Sequence, residues 1–349
     1  MIGRAGPVPR QLDFENLYVF PHTGYDSQFY HHLAHDPWLR RDFRKSFDTP
    51  RLRWRRILVP ACAWMLACGS DRWIDPAYLA VMLALYFLGA WWMARYLESV
   101  GLPAWWGLAY LLLPTSLITL ERLVVDLPLV TLCLGFLVYT RERAPGKLYV
   151  LLAAAILARE TGIMLLVAWL VVLVGERKFR EALLYVTAAI PAAAWFLYVD
   201  WMTTPVVMAG WSLTYPLARI FEAYGLFFAH PPTNPIDRFA LGLDFLALAG
   251  SLLAVVFGLS SFRRLRDPAE AATAAFAFMG LIVVSVSDVA GFTDIWGHAR
   301  LLGPLTALLV CVGLARRRWL FLAPAVFHSL RVGVTLAVKA SAGIRALFG

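Results

Sequence analysis

Apolar runs follow one another along most of this chain, separated by short basic or polar stretches. They lie at 57–68, 77–97, 104–120, 123–140, 148–158, 161–174, 182–199, 239–259, 272–290, 301–315 and 319–338. A helix needs about 20 apolar residues to cross a bilayer, and several runs approach that length. The chain is 60% hydrophobic and 16% charged, where soluble globular proteins have about 45–50% and about 25%. Mean hydropathy is +0.65. A soluble domain, a disordered chain and a nucleic-acid binder are thereby excluded. The expected fold class is all-α, a polytopic transmembrane helix bundle of about 9–10 membrane helices with short juxtamembrane helices. Residues 1–76 are expected to form an external loop segment with juxtamembrane helices, and 77–349 the bundle. No repeat or low-complexity segment is visible, and the stretch Met1–Phe20 has no apolar core of signal-peptide length.

Two runs are too short to span, for different reasons. Ile57–Cys68 has twelve residues with Pro60 near its start, so a helix lying on or dipping into the membrane is expected. Leu148–Val174 carries Arg159 and Glu160 at its centre, where a charge costs several kcal/mol in mid-bilayer. Split there, the run gives pieces about 16 and 21 Å long, each short of the roughly 30 Å hydrocarbon core. Basic clusters flank the run: Arg141, Arg143 and Lys147 before it, Arg177, Lys178 and Arg180 after it. Both clusters are expected in the cytoplasm. Two short helices meeting at Arg159–Glu160 satisfy that rule, and one straight span does not.

This topology sends Asp26, His31, His32, His35, Asp36, Glu121, Arg122, Asp126, Arg159, Glu160, Asp288, Asp294, His298 and Arg300 to one external rim. One feature opposes it. Residues 1–56 hold ten basic residues, which ordinarily favour the cytoplasm, and that is where the segment lies if 57–68 spans. The net charge is +9. Of 32 basic residues all but Lys45, Lys147, Lys178 and Lys339 are arginine, a usage that hints at a GC-rich bacterium.

The most informative string runs Gly24-Tyr25-Asp26-Ser27-Gln28-Phe29-Tyr30 and closes on Asp36-Pro37. Asp26 or Ser27 can cap a short helix ending before Pro37, with Asp26, Tyr30 and Leu33 on one face. A carboxylate there suits a general base beside aromatic rings; the simpler role is an N-cap.

The string resembles the first external loop of bacterial GT-C-type integral-membrane glycosyltransferases. Arg53-Trp54-Arg55-Arg56-Ile57-Leu58-Val59-Pro60, Leu157-Ala158-Arg159-Glu160-Thr161-Gly162 and Arg300-Leu301-Leu302-Gly303-Pro304 are similar to that family too, each weak singly and useful in order. The resemblance implies juxtamembrane helices in the first loop, a polyprenyl-phosphate-sugar donor, and inverting transfer on the external face of the bacterial inner membrane. It makes Asp26 the base and Glu121 or Asp126 a second catalytic carboxylate. The family carries a membrane helix before this loop, which residues 1–20 do not supply, and His31 and His32 stand where aromatic residues are common.

Such a transfer needs a base, stabilisation of an oxocarbenium-like transition state and cations for the departing phosphate. Tyr25, Gln28, Tyr30, Arg159, Glu160 and Arg300 are the candidate substrate-binding residues; for Arg159 the simpler role is a buried ion pair, for Arg300 an interfacial position. The one candidate cofactor is a divalent cation held by Asp26 with Glu121 or Asp126. Expected partners are the lipid-linked donor, membrane lipid and a glycan, lipid or protein acceptor, with no nucleic acid.

Further expectations concern smaller features. His31 and His35 are four apart and could face one another, but zinc wants a third ligand, for which Asp36 or Asp26 is the candidate; polar packing is favoured and no metal site is assigned. Leu39, Phe43 and Phe47 at i, i+4, i+8 among basic residues predict an interfacial amphipathic helix. Cys62, Cys68, Cys133 and Cys311 match no zinc or redox spacing and read as core residues. In 200–238, Pro205, Pro216, Pro231, Pro232 and Pro235 break regular helices, and Trp211, Tyr215, Phe221 and Tyr224 are free to lie on membrane or sugar. The competing functions are a non-catalytic transporter or lipid-handling protein, and a truncated inactive relative. Transporters usually show paired repeats and mid-membrane polar sites, whereas here charge gathers at one rim.

Overall fold

The computed structural model describes residues 2–3, 19–20, 26–204, 215, 217–229, 234–286 and 290–348. Apart from two paired two-residue strands, Ile2–Gly3 and Val19–Phe20, the described chain is helical, with connecting turns. It divides into two compact units, one of residues 1–92 and 119–208, the other of 93–118 and 209–349. The segment 1–76 thus shares a unit with 119–208.

Five of the described helices are long and apolar enough to cross a membrane: Asp71–Ser99, Phe179–Met202, Pro235–Arg264, Pro268–Val286 and Trp319–Ser341. A sixth span arises if Ile295–Leu301 and Gly303–Ala315, bent by 60°, count as one. Several runs that the sequence offers as spans are instead short apolar helices. The run 104–120 breaks before Pro114 into a 3-10 segment and a nine-residue helix. The described residues form an all-α bundle, and the protein is a multi-pass membrane protein.

The first unit begins with α1 (Ser27–His35), α2 (Pro50–Arg55) and α3 (Leu58–Leu66). At nine residues α3 is about 14 Å long, too short to span. Then come α4 (Asp71–Ser99, in this unit through Trp92) and α5 (Pro114–Arg122, in this unit from Thr119). The unit continues with α6 (Leu127–Arg141), α7 (Pro145–Ala158), α8 (Ile163–Gly175), α9 (Phe179–Val186) and α10 (Ile190–Met202). Every residue of α6 from Leu127 to Val138 is buried, as an all-round apolar helix requires when it forms a core. By contrast, α4 and α10 expose Phe87, Trp91, Leu197 and Trp201, faces suited to lipid.

Helix α7 stops at Ala158, Arg159 is extended, and α8 starts at Ile163 after a single 3-10 turn. The chain reverses there. Tyr149, near the start of α7, and Trp169, in α8, both pack on the ring of Tyr185 in α9, at 6.2 and 5.8 Å between centroids. In one straight helix those two residues would stand about 30 Å apart. Gly162 makes the reversal possible: a Cβ there would lie 2.0 Å from the carbonyl oxygen of Ala155. The Tyr185 hydroxyl donates to the carbonyl of Pro145 at 3.2 Å, which sets the start of α7 beside the end of α9.

Under α1 lies a core of Leu33, Leu39, Phe43, Phe47, Trp54, Ile57 and Val199. The expected amphipathic helix over Leu39, Phe43 and Phe47 is corrected here. Only Asp42–Ser46 is helical, as a 3-10 turn, and all three side chains point inward. Asp36 breaks the pattern by accepting the backbone N–H groups of Arg40 and Arg41 at 2.8 and 2.7 Å. The Phe47 and Trp54 rings then pack at 4.2 Å between centroids.

Three of the basic residues of 1–56 find partners in the same unit. Arg44 donates to the carbonyl of Met202 at 2.6 Å and Arg51 to those of Asp200 and Thr203 at 3.1 and 2.8 Å, meeting the bare carbonyls and negative dipole end of α10. Arg55 pairs with the Asp200 carboxylate at 2.8 Å. These arginines are structural cations with fixed partners.

The second unit holds α11 (Ala218–Ala229), α12 (Pro235–Leu259), α13 (Pro268–Val286), α14 (Ala290–Thr293), α15 (Ile295–Leu301), α16 (Gly303–Ala315) and α17 (Ala323–Phe348). Helix α16, buried from Gly303 to Leu314, is its core. Thr115 packs so close to Gly303 that a Cβ there would lie 2.3 Å from its Oγ1, while its hydroxyl donates to the Ala299 carbonyl at 2.7 Å. Among the expected rim residues, His298 is buried instead, paired with the hydroxyl of Ser251 at 2.8 Å, and Asp294 caps α15 through the N–H of Trp296. Of the loop residues, Tyr215 and Phe221 are exposed. Tyr224 stacks on Phe245. Asp288, Trp211, Pro205, Pro216, Pro231 and Pro232 lie outside the described residues.

Two cysteines, Cys133 and Cys311, are buried. Cys62 is only partly covered, and Cys68 is exposed, contrary to expectation. Helix α3 ends at Leu66, and Cys68 turns away with a positive φ of 50°.

Candidate functional site

Four separate stretches of the first unit meet in one ionic cluster. Asp26 occupies the N-cap position of α1, but its side chain makes no capping hydrogen bond. Instead Arg53, on α2, donates to its Oδ1 at 2.9 Å. The fork of Arg53 faces Asp48, with Nε and Nη2 at 3.1 and 2.7 Å from its two oxygens. Asp26 therefore takes a single N–H of a guanidinium committed mainly to another carboxylate. The Arg53 charge also stands over the rings of Phe29 and Tyr30, 4.8 and 5.5 Å from their centroids.

The Tyr30 hydroxyl accepts from Arg53 at 3.4 Å and from Arg56 at 3.0 Å. Arg56 in turn donates to Glu160 at 3.1 Å, at the α7–α8 break. Burial disfavours its charge, but Glu160, Tyr30 and Asp126 outweigh that and push its pKa above the ordinary arginine value. Arg53 behaves alike: burial opposes the charge, and Tyr30, Asp26 and Asp48 overcome it. For Asp48, burial alone would raise the carboxyl, yet the hydrogen bond and charge of Arg53 hold it below the ordinary value.

Arg159 is paired with Asp126, both side chains at most a tenth exposed. Asp126 stands at the start of α6, where a carboxylate also meets the positive end of the helix dipole. The preceding loop is anchored by Tyr78, whose hydroxyl donates to the Leu123 carbonyl at 3.1 Å.

Asp26, Tyr30, Asp126, Arg159 and Glu160 are thus brought into one neighbourhood. Gln28 is buried on α1. Glu121 ends α5 beside Arg122, at 3.6 Å. Arg300 belongs to α15 of the second unit, and Tyr25 lies outside the described residues. Of the carboxylates expected to hold a cation, Asp26 and Asp126 are each paired with an arginine, and the group of three with metal-ligand spacing among the described residues lies elsewhere.

That group is His31, His35 and Asp75. His31 bonds Asp75 through Nε2, and His35 bonds Asp71 through Nδ1 at 2.8 Å. Of the two expected third ligands, Asp36 accepts two backbone N–H groups and Asp26 pairs with Arg53. Burial, followed by the neighbouring His31 and His35, pushes the His32 imidazole down to about 3. Burial also lowers His35 below its ordinary value.

Arg53, Arg56 and Asp48 are cluster members that spacing did not single out. The i, i+3 interval of Arg53 and Arg56, which sets both on one helical side, was the available signal. Asp71 and Asp75, four apart like His31 and His35, were another. No protein-family model matches the chain, and neither does any curated protein or solved structure.

Proposed function

We propose that this protein is an integral-membrane glycosyltransferase of the bacterial inner membrane. It moves a sugar from a polyprenyl-phosphate donor to an acceptor hydroxyl on the periplasmic face. The observation that carries the reading is the joining of three strings that resemble one family: Asp26 to Arg53, Tyr30 to Arg56, and Arg56 to Glu160.

In the proposed step the acceptor oxygen attacks the anomeric carbon with inversion and its proton passes to Asp26. The bond from the anomeric carbon to the phosphate oxygen breaks, and polyprenyl phosphate leaves with the electron pair. Asp26 is the candidate base: it lies beside the Tyr30 ring and takes an N–H from Arg53, whose fork faces Asp48. Its side chain remains 32% exposed, so an acceptor can reach it. Arg159 is the cation for the leaving phosphate, which must displace Asp126 as it binds.

Asp26→Asn tests the reading in purified protein supplied with polyprenyl-phosphate hexoses and pentoses. The wild type should transfer from at least one donor, and the variant should lose roughly 10²–10⁴ in rate with thermal stability unchanged. Near-wild-type turnover in Asp26→Asn, or no transfer from any donor, overturns it.

A further inference from the structure

Two helices of the first unit present matched pairs to each other. On α1, His31 and His35 stand one turn apart; on α4, Asp71 and Asp75 do the same. Side chains four apart share a helix face, so the crossing sets imidazole against carboxylate twice, as His31–Asp75 and His35–Asp71.

The two contacts are chemically different. Ligand atoms of His31, His35 and Asp75 all lie within 4.8 Å of one another. Bonds of 2.0–2.1 Å to a tetrahedral zinc would set them about 3.3 Å apart, a closure within reach of side-chain rotation. Asp71 takes Nδ1 of His35 and leaves Nε2 for a metal, and Arg41 fixes Asp71 with two bonds of 3.0 and 2.9 Å. A metal-bound histidine characteristically donates its second ring nitrogen to such a carboxylate. The site is also accessible, since the Asp75 side chain is 51% exposed and that of His31 21%.

We infer that His31 Nε2, His35 Nε2 and an Asp75 oxygen bind one zinc-class divalent ion, with Asp71 orienting His35 and Arg41 holding Asp71. Two imidazoles and one carboxylate favour zinc over magnesium or calcium, which take oxygen ligands. Three protein ligands leave a fourth position for water. The ion would clip α1, the helix that carries Tyr30, to the first turns of α4. This site stands whether or not the cluster beside it transfers a sugar.

The test uses untagged full-length protein in lipid nanodiscs, stripped with chelator and titrated with Zn2+, Co2+, Mg2+ and Ca2+. Expected are one Zn2+ per chain by elemental analysis, the visible absorption of tetrahedral Co2+, and a rise in thermal midpoint on Zn2+ addition. Asp75→Asn and His31→Gln should each weaken Zn2+ binding at least 100-fold, and Asp71→Asn about 10–100-fold. Failure of the wild type to hold stoichiometric Zn2+ or Co2+ overturns the site, even if a variant does not fold. Equal Zn2+ affinity in Asp75→Asn, or a preference for Mg2+ or Ca2+, overturns it as well.

Discussion

Arg56 donates from Nε to Glu160 at 3.1 Å, joining residues 104 apart in sequence. The pair fastens the link between α2 and α3 to the break between α7 and α8. Neither side chain is far into solvent, at 14% and 25% exposed, so each is costly to leave alone. Arg56→Met and Glu160→Gln should each destabilise the protein by about 1–3 kcal/mol, and the double variant by less than their sum. Unfolding in mixed detergent measures this, and strict additivity would show that the pair does not couple.

Gly162 backs directly onto α7. Gly162→Ala must force the chain away from the Ala155 carbonyl and should cost about 1–3 kcal/mol or more, as overpacking does. Loss of stability should come with exposure of the Tyr185–Trp169 contact, read as a change in tryptophan emission. An unchanged unfolding midpoint would argue against the tight reversal.

His32 predicts a pH dependence. It faces His31 and His35, with Asp75 beyond them, and burial holds its imidazole near 3 against about 6.5 in an unfolded chain. The unfolded state therefore binds the extra proton between those values, and stability falls as pH drops below about 6.5 and keeps falling toward 3. In chelator-treated protein, His32→Phe should flatten the decline in thermal midpoint between pH 6.5 and 4.5. An equally steep decline in the variant would assign it to other groups.

Asp48 acts lower on the scale. Its depressed carboxyl contributes stability that is complete above the unfolded value of about 3.9 and is lost as pH falls through the lower folded value. Asp48→Asn should be less stable than wild type at pH 6, and the gap should close as pH falls below about 4. A gap that persists at pH 3 would make the loss steric.

Orientation can be read with a membrane-impermeant thiol reagent. Cys68 is exposed, so Cys68→Ser provides the background. Arg40→Cys should label from outside intact cells, and Pro145→Cys only after permeabilisation. The reverse pattern would put Asp26 in the cytoplasm and remove the periplasmic reading.

What the sequence determined by itself rests on local physics. Long apolar runs demand helices. Pro37 bounds α1, and the cost of Arg159 and Glu160 in hydrocarbon demands a break between Ala158 and Ile163, where the chain does turn back. Tertiary structure decided the partners. Asp26 could have capped α1, but the approach of α2 turned it to Arg53. Leu39, Phe43 and Phe47 have the spacing of a membrane-facing stripe, yet Asp36 broke the helix and Trp54 drew them inward. The third residue for His31 and His35 came from Asp75, some forty residues away, rather than from nearby Asp36 or Asp26. Spacing reports which side chains share a face of one element. Which faces meet depends on how helices cross, and that is set by the packing of the whole unit.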